Sequence, residues 1–161
     1  MSKSLRRHTA LGLLVSSALS CSSCSFINSF IIVNASHVAL EVSYRVKPSN
    51  YPGAPTRLSD RAPETLPASQ LGKGAWQPLP ASRYRIDPDN RIVVLTLNLD
   101  EALLFTQCRP ANDQRSGDCE LGDFPIVEID LVGADGEINL KGEQAHKGFA
   151  RNKNTYTLTY Y

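Results

Sequence analysis

Neither charge is in excess, and that lack removes several functions at once. Seventeen Lys and Arg stand against sixteen Asp and Glu in 161 residues. No basic run is interleaved with aromatics, so the electrostatic footprint of a nucleic-acid binder is missing. Histidine is scarce. Outside the first 20 residues only His37 and His146 occur, each without a Cys or second His at metal-ligand spacing. There is no G-x-S-x-G elbow, no phosphate-cradling loop and no zinc-protease motif, which removes the usual signatures of hydrolases, nucleotide binders and metalloproteases. No internal repeat and no convincing long helical pattern is visible. On these grounds no catalytic residue, no metal ligand and no cofactor is assigned.

One long apolar run is present, and it lies at the start. In Leu5 to Cys24, LRRHTALGLLVSSALSCSSC, Arg6 and Arg7 precede an uncharged stretch rich in Leu, Val and Ala. A short apolar run after positive charge, ending at small residues, has the form of a secretory leader. It is too short to span a bilayer, which takes roughly 20 apolar residues. The expected organisation is a signal peptide over 1–20, a tether over 21–28 and one domain over 29–161. Lys3, Arg6 and Arg7 fall in the leader, which holds no acid. The remainder therefore has 14 basic against 16 acidic residues.

The small residues before Cys21 resemble the lipobox of bacterial lipoproteins. Ala18, Leu19 and Ser20 precede the Cys, with the Leu one place nearer to it than the usual pattern has. The resemblance implies a diacylglyceryl group on Cys21, which would be the mature N-terminus. It also implies an extracytoplasmic, membrane-anchored domain. Because Ser22 rather than Asp follows the Cys, the class rules imply the outer membrane where a cell has two.

The rest reads as β-structure. Phe30 to Val33 is continuous, apolar and β-branched. Asn34-Ala35-Ser36 breaks it with turn-forming types. Val38, Leu40, Val42, Tyr44 and Val46 then alternate with His37, Glu41, Ser43, Arg45 and Lys47, the period of a strand with one face in a core. Together the two runs predict an opening hairpin. Further strands are expected at Ser82 to Ile86, Ile92 to Leu99, Ala102 to Thr106, Phe124 to Val132, Glu137 to Lys141 and Thr155 to Tyr161. Ile126, Glu128, Asp130 and Val132 are assigned to one face of their strand and Val127, Ile129 and Leu131 to the other. Asp87-Pro88-Asp89-Asn90 is a turn rather than a calcium loop, since the further oxygen ligands and the fixed Gly are missing. Asp135-Gly136 marks a hairpin. About eight one-faced strands predict an all-β fold: an antiparallel β-sandwich of immunoglobulin-like or jelly-roll type, with a small β-barrel as the alternative.

Seven of the ten prolines lie between Pro48 and Pro80, so this stretch is expected to be an insertion with no long helix or central strand. Tyr51, Arg57, Arg61 and Trp76 are its candidate partner contacts, being residue types that dominate binding hot spots. For Trp76 the expected role is to cap the core. Cys108 and Cys119 bracket a polar loop and in an exported domain are expected to form a disulfide. The carboxylates near it, Asp113, Asp118, Glu120 and Asp123, read as a solvated loop. The function expected is a non-enzymatic binding or structural module, held to the membrane by its lipid and meeting an envelope protein. The alternative is a small extracytoplasmic hydrolase or carbohydrate-acting enzyme using those loop carboxylates.

Overall fold

The apolar face of a strand has to meet a second layer, and the strands solve this by stacking two sheets. A computed structural model describes residues 27–48, 62–108 and 124–161. Its strands in chain order are β1 (Asn28–Asn34), β2 (Leu40–Val46), β3 (Glu64–Pro67), β4 (Gln77–Pro78), β5 (Tyr84–Asp87) and β6 (Ile92–Leu97), then β7 (Glu101–Cys108), β8 (Ile126–Gly133), β9 (Gly136–Lys141), β10 (Ala150–Asn152) and β11 (Thr155–Tyr160). Short 3-10 turns lie at Ala68–Gln70 and Ala81–Arg83, and one short helix, α1, spans Glu143–Lys147. One sheet has the order β10-β11-β1-β7-β3-β4 and the other β5-β6-β2-β8-β9. The architecture is an all-β sandwich that does not close into a barrel. Pairing is antiparallel except between β1 and β11, which run parallel with Ser29 opposite Thr155 and Asn34 opposite Tyr160.

The eight expected strands are all present, but the first two do not form a hairpin. β1 lies between β11 and β7 in one sheet, and β2 lies between β6 and β8 in the other. The physical reason is visible in the side chains. Phe30 and Ile32 belong to the main core, whereas Ile31 and Val33 form a second cluster with Ala102. A strand that is apolar on both faces is best placed inside a sheet with cover on each side. The alternation begins only at Leu40, because residues 36–38 curl into a turn in which the Val38 amide donates to the Ser36 hydroxyl oxygen at 3.4 Å. Val38, expected on the core face, is 40% exposed.

β8 departs from strict alternation for an identifiable reason. Opposite it, Arg45 pairs with Glu128 but Val46 pairs with Ile126, so Val127 is an extra residue. This bulge changes the side-chain parity. Ile126, Ile129 and Leu131 consequently all face the core, although strict alternation would put Ile126 on the opposite side. β9 returns after a two-residue turn, with Gly133 opposite Gly136. Here Gly133 is required by space. A Cβ added there would stand 2.6 Å from the Tyr160 hydroxyl oxygen and 2.7 Å from ring carbons. Tyr160, from the other sheet, donates its hydroxyl to the Gly136 carbonyl at 2.8 Å. One side chain thus ties the last described strand to the β8–β9 hairpin and closes that end of the sandwich.

The core itself is aromatic at one end. Phe30 is fully buried and its ring lies 4.4 Å from Tyr156, 4.7 Å from Phe124 and 5.3 Å from Phe149. Such centroid spacings add favourable ring–ring geometry to simple area burial. The helix α1 places Ala145 in the same core.

Candidate functional site

The proline-rich stretch contains more regular structure than its composition suggests. β3 pairs with β7 over Glu64–Pro67, and β4 adds two residues at the sheet edge. The prolines are compatible with this because they fall where an amide is not needed. Pro63 precedes β3, Pro67 ends it, and Pro78 lies in the edge strand β4, the positions proline tolerates in a sheet. The expectation of no central strand therefore gives way to a four-residue strand next to the edge.

The 3-10 turn and loop that follow β3 fold back over the outer face of their sheet. Ala68, Leu71 and Trp76 pack there with Leu104 against Ile31, Val33 and Ala102. Trp76 is half-buried in this cluster, so it covers apolar strand surface, as expected from its type. Tyr51, Arg57 and Arg61 lie outside the described residues, as does Cys21. Cys108 ends β7, while its expected partner Cys119 lies outside the described residues. So do Asp113, Asp118, Glu120 and Asp123.

His146 sits on α1 among aromatic rings, 5.2 Å from Phe124, 5.8 Å from Phe30 and 6.1 Å from Tyr156. This is a packing position. Among the described residues no group of three or more His, Cys, Asp or Glu side chains could hold a metal ion.

The polar residues that the structure does bring together lie where both sheets turn. Asn34 is fully buried at the end of β1. Its side-chain amide donates to the carbonyl oxygens of Val38 (2.8 Å), Leu97 (3.2 Å) and Asn98 (3.0 Å). Its side-chain oxygen accepts from the Ser36 amide (3.1 Å) and the Ser36 hydroxyl (2.7 Å). The Asp100 amide in turn donates to the Asn34 carbonyl at 3.0 Å. Beside this corner Arg83 makes a two-pronged contact with Glu101, at 3.0 and 2.5 Å, and donates to the Thr96 carbonyl at 2.7 Å. Glu101 also accepts from the Asn98 amide at 2.8 Å. The sequence holds a signal for half of this. An Asn after an apolar run, with Ser two residues on, is the pattern of a side-chain-closed turn. Nothing in the sequence links Arg83 to Glu101, 18 positions away.

Burial works against ionisation of Glu101, but the Arg83 hydrogen bonds, the Asn98 amide and the Arg83 charge outweigh it and hold the carboxyl below its ordinary value of 4.5. A lowered carboxylate contributes stability that is full above the ordinary value and is lost as pH falls through the lower, folded value. Glu101→Gln should therefore destabilise the domain at pH 7. Its side chain is only 21% exposed, yet solvent screening keeps the expected loss to about 1 kcal/mol. Thermal melts of both proteins between pH 7 and pH 3 provide the check. The gap between them should narrow below about pH 4.5, and a gap constant across that range would refute the assignment.

Comparison with protein-family models, curated proteins and solved structures gives no match. No helix among the described residues is long and apolar enough to cross a membrane.

Proposed function

We propose that this chain is an exported, lipid-anchored β-sandwich that acts as a non-enzymatic binding or structural module of the cell envelope. The observation that carries the reading is the leader, with its Arg6-Arg7 start, apolar centre and small residues before Cys21. Two acyl chains on one Cys anchor a protein stably, where a single chain binds only marginally. The module would face an extracytoplasmic compartment, at the outer membrane in a cell with two. A Cys108–Cys119 bridge belongs to the same proposal, because exported domains keep disulfides. Recovery of both as free thiols from alkylated, unreduced protein would remove it.

The contact surface of this module is the segment from Asn50 to Arg61, with Tyr51, Arg57 and Arg61 as its contacts. Ala68, Leu71 and Trp76, from the described part of the proline-rich stretch, pack against Ile31 and Val33, so Trp76 belongs to the fold. A deletion through Glu64 would cut into β3, where Glu64 pairs with Leu104 and the Leu79 amide donates to the Pro63 carbonyl at 2.6 Å. Deleting Asn50 to Arg61 avoids this. The shortened protein should melt as the parent does and should lose the partner that the parent captures from native membranes. Undiminished capture of the same partner would place the contact elsewhere.

A further inference from the structure

The register of the two sheets gathers exposed apolar side chains at one end of the sandwich. β1 and β11 finish there at Asn34 and Tyr160, and β2, β7 and β9 begin there at Leu40, Glu101 and Gly136. The loops of this end are residues 35–39, 68–76, 98–100 and 134–135, with Tyr161 just past β11. Of the five large apolar residues that are exposed among the described residues, four lie here: Val38 (40%), Leu99 (55%), Val132 (44%) and Tyr161 (79%). They are held near one another by the corner. Asn34 bonds the carbonyls of both Val38 and Asn98, Glu41 pairs with Val132, and the Ala35 amide donates to the Tyr160 carbonyl at 2.7 Å.

The charge of this end is one-sided. Glu41, Asp100, Asp135 and Glu137 are exposed, and none forms an ion pair among the described residues. Against them the same loops carry Lys73 and His37, while Arg83 is neutralised by Glu101. The presentation is also rigid. Leu99 precedes Asp100, whose φ is +54° and whose amide and carbonyl are both tied, to Asn34 and to Ala68. A preset loop loses little entropy on docking, and exposed apolar patches rimmed by polar groups mark interaction surfaces.

We propose that this end docks a protein segment that presents apolar side chains flanked by Lys or Arg. The acidic rim decides the occupant. Two copies of this end would bring like charges together, and an anionic lipid surface would be repelled in the same way. A basic segment meets complementary charge at the rim while its apolar side chains cover Leu99, Val38 and Tyr161. The proposal is independent of whether Cys21 carries lipid, since β1 starts at the opposite end of the sandwich.

The test is site-specific photocrosslinking of the full-length protein in cells that make it. A benzophenone amino acid replaces Leu99 in one version and exposed Ala150, on β10, in a control. The Leu99 probe should give one protein adduct whose linked peptide, read by mass spectrometry, has apolar residues flanked by Lys or Arg. The Ala150 probe should not give it. Adding Glu41→Lys and Glu137→Lys should cut the adduct at least tenfold with an unchanged melting temperature. An adduct to lipid, to a second copy of the chain or to an acidic segment would overturn the proposal. No adduct, or a yield indifferent to the charge reversal, would overturn it equally.

Discussion

Phe30→Ala should destabilise the domain by about 3 to 5 kcal/mol, the cost of truncating a fully buried aromatic that leaves a cavity. Phe30 is the centre of the ring cluster rather than one member of it, touching Phe124, Phe149, Tyr156 and His146 from a position with no exposed surface. Those four partners come from the segment before β8, from α1, from the second residue after it and from β11, so the loss would be felt on both sheets. Phe30→Leu keeps most of the volume and should recover a large part of the stability. Urea unfolding of the three proteins is the measurement. A Phe30→Ala loss below about 1.5 kcal/mol would mean that the rings are not packed as described.

Asn34→Ala should be the most damaging polar substitution, at about 3 kcal/mol or more. The change leaves buried partners without their hydrogen bonds, and each such orphan costs roughly 1 to 3 kcal/mol. The Leu97 carbonyl accepts one of these bonds from the Asn34 amide, and the Ser36 amide donates another to the Asn34 side-chain oxygen. Asn34→Asp is the informative companion. It keeps the acceptor for Ser36 but replaces the donating amide with a charged oxygen facing three carbonyls, so it should be at least as harmful as Ala. If Asp were tolerated better than Ala at pH 7, the corner would not be built on that amide. Ser36→Ala removes only the hydroxyl contacts and should cost less than either.

The fold was readable in the sequence wherever a strand buried one face and stayed regular. Val42, Tyr44 and Val46 in β2 and Tyr156, Leu158 and Tyr160 in β11 alternate without interruption, and all six are buried. The reading failed where a local device broke the period. The extra residue Val127 carries Ile126 to the core side, and no feature of IVEIDLV announces it. β3 was concealed because proline content is judged over a window, whereas compatibility depends on the single amide that each proline removes. The opening hairpin, which short sequence separation favours, does not form, since β1 and β2 lie in different sheets. The continuous apolar run of Phe30 to Val33 instead marked a strand covered on both faces.

The proposed contact surface is less legible for a different reason. Trp76 could be placed by type, since a lone Trp usually packs. The apolar end cannot be seen in the chain, because Val38, Leu99, Val132 and Tyr161 are scattered over 124 positions and meet only through the strand register. Val38 illustrates the difficulty: in sequence it extends the core face of β2, and only the turn at residues 36–38 exposes it. Likewise the Arg83–Glu101 pair joins two turns that local patterning treats separately.

The central claim is that Cys21 carries lipid and is the mature N-terminus. Metabolic labelling of producing cells with a fatty-acid analogue, followed by isolation of the protein and mass analysis of its N-terminal peptide, tests it most directly. The account predicts label on the wild-type protein, an N-terminal peptide that begins at a diacylglyceryl Cys21, and no label on Cys21→Ala. Label that persists unchanged in Cys21→Ala, or an unmodified N-terminus generated by ordinary cleavage near Ala18 to Ser20, would contradict it.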